Sequence, residues 1–156
     1  MTTTDLTITA GQQEVVITRD FRAPREQVWN AHTDPSLIPE WWGPRRLVTT
    51  VEELDVRYGG AWRFVQRDAE GHEFAFRGVF HTVEPPERYV ATFEFEGAAG
   101  HVVLQEMVFD DLGGATRLTQ RSVYLAVEDL QAMMQSGMES GVVESMERLD
   151  ELFARS

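Results

Sequence analysis

Between Leu47 and Leu125 the chain alternates apolar and polar residues with a period of two, in runs joined by connections too short to cross over a sheet. Six strands are predicted there: Leu47 to Val56, Ala61 to Arg67, Glu73 to Val83, Tyr89 to Phe95, Val102 to Phe109 and Thr116 to Leu125. Tyr58-Gly59-Gly60, Asp68 to Gly71, Glu84 to Glu87, Glu96 to Gly100 and Asp110 to Gly114 separate them, all rich in glycine, proline or acidic turn formers. Loops of about two to five residues join only antiparallel neighbours, because a parallel crossover needs roughly a dozen or more. An antiparallel meander follows.

The alternation also assigns the faces. Trp62, Phe64, Phe74, Phe76, Gly78, Phe80, Tyr89, Ala91, Phe93, Phe95, Met107, Phe109 and Leu118 fall on one parity, while Arg63, Arg67, Glu73, Arg77, His81, Glu94 and Glu96 fall on the other. A sheet with one apolar face needs a cover. From Glu128 to Ala154 apolar and small residues recur in steps of three and one, which predicts a single amphipathic helix on the order of 40 Å long. One row of its stripe reads Met133, Gly137, Gly141, Ser145, Leu149, so side chains vanish where a core helix would be bulkiest. Two mid-helix glycines work against a helix by roughly 2 kcal/mol. They allow either close approach to another backbone or a cavity roofed by methionines. Set opposite Phe64, Phe76, Phe93 and Met107 on the sheet, they leave both uses open.

Upstream, residues 1–12 are expected to form a flexible N-terminus, and Glu14 to Phe21 a first strand. Pro24 suits the first turn of a short helix carrying Val28, Trp29, Ala31 and His32, and a second helical turn is expected near Ser36 to Trp42. The predicted architecture is α+β: a seven-stranded antiparallel sheet wrapped around a long C-terminal helix, with two short helices between the first and second strands. Residues 13–156 are expected to be one domain.

Charge and motif content exclude several functions. A net charge of -12 in 156 residues, with no dense basic patch, argues against nucleic acid. The absence of cysteine removes disulfides and thiolate chemistry. No apolar run is long enough for a membrane span, and the start lacks the pattern of a signal peptide, so a cytoplasmic protein is expected. His32, His72, His81 and His101 are scattered, and neither an HExxH spacing nor a Gly-x-Ser-x-Gly elbow occurs. Neither a metal nor a cofactor is expected.

Several segments carry a resemblance: Phe21 to Trp29, Thr33-Asp34-Pro35 through Trp41-Trp42-Gly43-Pro44, Gly59-Gly60, Val83 to Arg88, Gly113 to Thr119, and Gly137-Met138 with Gly141. In this order they resemble the SRPBCC superfamily, with its START-like, birch-pollen-allergen-like helix-grip fold, and within it the branch named for the activator of heat-shock-protein-90 ATPase homologues. The resemblance implies an elongated pocket between sheet and last helix. In relatives it holds lipids, polyketides or other apolar molecules, and in some it has become an active site. The pocket lining assigned on this basis is Trp41, Trp42, Trp62, Phe64, Phe74, Phe76, Phe80, Phe93, Phe95, Met107, Phe109, Gln120, Ser122, Met134, Gly137, Met138, Gly141 and Val142. The branch name also implies a chaperone as partner, in a stress response. Full activators resemble a two-domain arrangement, whereas only about a dozen polar residues precede the first strand here.

Trp41-Trp42 reads as a core plug or as a gate flanked by a proline and a glycine. With Leu118 inward, Gln120, Ser122 and Tyr124 point inward too. Close relatives commonly carry an apolar residue and then a histidine at the first two of these positions. Buried polar groups need partners, from neighbours or from a ligand. The expected function is binding of an apolar, aromatic or lipid-like small molecule for sequestration, transport or sensing, by a monomer or homodimer. The alternatives are co-chaperone action and a cyclase, hydratase or hydrolase in the same pocket, for which only Tyr124, Glu106 and Arg121 offer acid or base groups.

Overall fold

The computed structural model describes residues 5–8 and 13–155. The strands are β1 (Asp5–Ile8), β2 (Glu14–Phe21), β3 (Val48–Leu54), β4 (Ala61–Arg67), β5 (Glu73–Glu84), β6 (Arg88–Phe95), β7 (Val103–Asp111) and β8 (Thr116–Tyr124). The helices are α1 (Arg25–Thr33), α2 (Val127–Gln135) and α3 (Met138–Arg155), with 3-10 turns at Ile38–Glu40 and Glu96–Ala98. All strands are antiparallel in one sheet of order β1-β2-β8-β7-β6-β5-β4-β3. The seven strands expected from periodicity are present, as are the two short helical elements between β2 and β3. β2 does not continue the meander but inserts beside its last member, Ile17 opposite Gln120.

Two expectations are corrected. Part of the stretch expected to be flexible is a strand: β1 pairs with β2, Asp5 opposite Thr18, as an eighth, edge strand. The rest of that stretch lies outside the described residues. The expected single C-terminal helix is two. α2 ends where Ser136 donates its amide to Ala132 and Met133 and Gly137 donates to Met134, with Gly137 at φ 89°. That left-handed conformation ends helices and strongly favours glycine, so Gly137 is a helix stop and not a gap in a stripe. Helical periodicity runs unbroken across the stop because both helices turn their apolar sides to the same sheet.

The break matches two core clusters. α2 contributes Leu130 to a cluster with Val15, Ile17, Val103 and Tyr124. α3 contributes Met146, Leu149 and Leu152 to a larger cluster with Phe21, Val28, Trp29, Trp41, Phe80, Met107, Phe109 and Leu118. The buried Arg19 of β2 forms an ion pair with Asp150 and fastens α3 to the sheet. On the outer face cross-strand pairs replace packing: Arg117 with Asp20, Arg121 with Glu14, Arg88 with Glu84 and Glu106, and Arg63 with Glu52 and Glu96. Between Val51 and Glu53 the pairing of β3 with β4 slips by one residue, which makes a bulge at Glu52.

Candidate functional site

Between the inner face of the sheet and the helices lies a cavity of about 300 Å³. Strand parity gives it two unlike walls. β4, β5 and β6 supply Trp62, Phe64, Phe76, Phe80 and Phe93, and Trp42 leans over them with its ring 5.1 Å from Phe64 and 5.2 Å from Phe76, edge to face. Such pairs prefer this geometry because the positive edge of one ring meets the negative face of the other. β7 and β8 supply Gln105, Met107, Gln120, Ser122 and Tyr124. Met133 of α2 and Met138, Gly141, Val142, Ser145 and Met146 of α3 form the roof.

The roof is open at Gly141, where an added Cβ would meet nothing within 4 Å. The glycine pair therefore splits: Gly141 borders space and Gly137 ends a helix. Trp41 and Trp42 divide in the same way. Trp41 is buried and donates its indole N–H to the Ala31 carbonyl at 2.8 Å, so it is fixed in the core, whereas Trp42 is half-buried within the aromatic wall. The loop carrying both is tied to α3. The Gly43 amide donates to Ser145 Oγ at 3.0 Å, and the Arg148 guanidinium donates to the carbonyls of Gly43 at 2.8 Å and Pro39 at 3.3 Å. Removal from water holds the Arg148 pKa below the usual arginine range.

Of the residues assigned from sequence, Trp41, Trp42, Trp62, Phe64, Phe76, Phe80, Phe93, Met107, Gln120, Ser122, Met138, Gly141 and Val142 line this cavity. Phe74, Phe95, Phe109, Met134 and Gly137 do not. Phe109, 1% exposed, packs edge-on against Trp29 at 5.3 Å and His32 at 5.1 Å, in core that α1 closes. Phe95 borders a separate hollow with Ala98, His101 and Asp129. Phe74 stands near the hairpin end of β5, opposite Gln66, and Met134 packs against the smaller core cluster.

Sequence reasoning missed Gln66, Gln105 and His32. Parity carried the signal for both glutamines, since Phe64 and Met107 point inward and the residues two positions away must do the same. Three histidines are exposed, at Asp68, Thr82 and Asp129, but His32 is buried. Its Nδ1 lies 2.8 Å from the Val28 carbonyl, which can only accept, so Nδ1 carries the proton. Nε2 is buried with no partner among the described residues. Burial pushes the imidazole pKa down to about 4, so the ring is neutral at pH 7.

Of the acid and base groups weighed for catalysis, Glu106 pairs with Arg88 at 2.7 Å and Arg121 with Glu14 at 2.9 Å on the outer face. Tyr124 alone faces the cavity, donating its hydroxyl to Met138 Sδ at 3.4 Å, and burial pushes its pKa up to about 12. No group of three or more potential metal ligands occurs among the described residues. No helix among them is long and apolar enough to cross a membrane.

A curved antiparallel sheet closing on a long C-terminal helix over an internal cavity defines the helix-grip class, the START-like SRPBCC fold. Within that class the chain belongs to the family described as activator of Hsp90 ATPase homolog 1-like protein, whose model matches residues 22–154. Solved structures agree with this. A protein from Rhodobacter sphaeroides superposes with a TM-score of 0.91 at 25% identity, covering 99% of this chain and 100% of its own. One from Arthrobacter aurescens gives 0.90 at 25% identity over 97% and 92%. The AHSA1 protein from Silicibacter pomeroyi gives 0.75 at 22% identity over 90% and 97%, a likeness of fold. None of the curated proteins compared matches the chain.

Proposed function

We propose that the protein binds an apolar, ring-bearing or lipid-like small molecule in the cavity between the sheet and α3, to sequester, carry or sense it. The observation that carries this reading is the cavity itself: about 300 Å³ of space bounded by Trp42, Trp62, Phe76 and Phe93 and left unfilled at Gly141. Interiors pack to crystal-like density, so a void of this size forgoes contacts that a ligand would restore. Native mass spectrometry of protein isolated from its own host is expected to show a bound mass. Gly141→Leu replaces a weak helix former with a strong one and drives a side chain into the space. The variant is expected to fold and to lose the bound mass. Equal occupancy of Gly141→Leu and wild type would overturn the reading.

A second reading rests on the family description, which names an ATPase activator. It has the exterior as its contact surface and predicts stimulation of a heat-shock-protein-90 ATPase by the purified protein. No stimulation at high micromolar concentration removes it.

A further inference from the structure

The two walls of the cavity differ in chemistry, and the difference specifies the ligand more closely than shape does. Along β8 the inward positions run Leu118, Gln120, Ser122, Tyr124, and register sets Met107 opposite Gln120 and Gln105 opposite Ser122. The β7–β8 flank thus carries a polar row, while the β4–β6 flank is aromatic apart from Gln66, whose Nε2 donates to Thr49 Oγ1 at 3.4 Å. The amides of Gln105 and Gln120 both lie within reach of one hydroxyl, Ser122 Oγ, at 3.3 and 3.5 Å. A serine hydroxyl has a single proton to give. At most one glutamine can therefore accept from Ser122, and at least one must donate its NH2 to that oxygen. This holds whichever way the amides are turned. That glutamine's carbonyl oxygen has no donor among the described residues, and it belongs to a side chain lining the cavity. No Lys, Arg, Asp or Glu is among the lining residues.

We propose that the cavity selects an uncharged molecule with a flat ring body and an O–H or N–H donor on one edge: the ring lies against Trp42, Trp62 and Phe76 and the donor against the Gln105–Gln120–Ser122 row. This inference rests on the cavity being a binding site. A free acceptor in an apolar enclosure rewards a donor and leaves an analogue without one facing an unpaired carbonyl. A carboxylate or phosphate finds no cation there and loses its hydration on entry. Phenols and hydroxylated polycyclic compounds meet the requirement; fatty-acid anions and phospholipids do not.

Three probes of nearly equal shape separate the possibilities: 2-naphthol, 2-methylnaphthalene and 2-naphthoate, titrated at pH 7 against the emission of the four tryptophans, of which Trp41, Trp42 and Trp62 line the cavity. The naphthol is expected to bind about tenfold more tightly than the methyl compound, with the naphthoate weakest. A merely greasy cavity would reverse the first two, because the methyl group gains more by leaving water. The double variant Gln105→Leu, Gln120→Leu is expected to keep binding 2-methylnaphthalene and to lose the preference for 2-naphthol. Equal or reversed preference in the wild type, tight binding of 2-naphthoate, or an unchanged preference in the double variant overturns the polar-edge inference and leaves the cavity as a binding site. Failure of all three probes to bind overturns both.

Discussion

Trp62 donates its indole N–H to the Thr92 carbonyl at 3.1 Å, across the one position in the neighbouring strand that has no side chain. That position is Gly78, paired with Trp62 in register. A Cβ there would lie 1.9 Å from the Thr92 oxygen and 2.4 Å from Trp62 Nε1. Thr92 completes the exchange by accepting the Val79 amide on Oγ1 at 2.9 Å. Gly78→Ala is therefore expected to cost about 2–3 kcal/mol in urea unfolding and to shift the Trp62 emission. An alanine variant as stable as wild type contradicts the geometry.

Gly137→Ala tests the break between α2 and α3 by the sign of its effect. In a continuous helix the change would stabilise by about 1 kcal/mol. At the observed φ of 89° an alanine is strained, and a loss of about 1–2 kcal/mol is expected. Thermal or urea unfolding reads the sign directly.

His32 sets a pH dependence. Its folded pKa of about 4 lies below its ordinary 6.5 because burial disfavours the charged ring. Between these values the unfolded chain binds more protons than the folded one, so stability rises with pH across this window and is lost as pH falls through it. The difference in unfolding free energy between wild type and His32→Phe is expected to change by about 3 kcal/mol between pH 6.5 and 4. The carboxylates, common to both proteins, cancel in that difference. Parallel pH profiles would remove His32 as the cause.

Arg148→Met removes the donors that fasten the carbonyls of Gly43 and Pro39 to α3 and keeps much of the apolar stem. A loss of about 1–2 kcal/mol is expected, with faster amide exchange in residues 39–45 than elsewhere. Uniform exchange across the chain would mean that the loop is held by packing alone.

Period-two alternation made the sheet and its inner face legible, because each strand reports its own two faces locally. Strand order was not legible: nothing local to Glu14–Phe21 says that it inserts beside Thr116–Tyr124. The break at Gly137 was hidden for a related reason, since periodicity records which way a residue faces and not the sign of its φ. Within the site, parity places Gln120 and Ser122, and it carries the same signal for Gln66 and Gln105, each two residues from an inward side chain, Phe64 and Met107. Phe109 and Phe95 show its limit. They share the inner face with Met107 and Phe93, but α1 fills the space before one and a second hollow takes the other. The face of the short helix that carries Val28, Trp29, Ala31 and His32 was legible, and all four are buried; that His32 also borders the cavity was not, because a core histidine and a pocket histidine read alike in sequence.

Among the described residues the sheet does not close into a barrel, and β3 ends it as an edge with no further strand beside it. Such an edge is a template on which a foreign strand can grow, unless its hydrogen-bonding groups are thrown out of step or its approach is made repulsive. The bulge at Glu52 does the first, and the exposed carboxylate of Glu53 does the second. The acidity of this margin acts as a guard against runaway strand stacking.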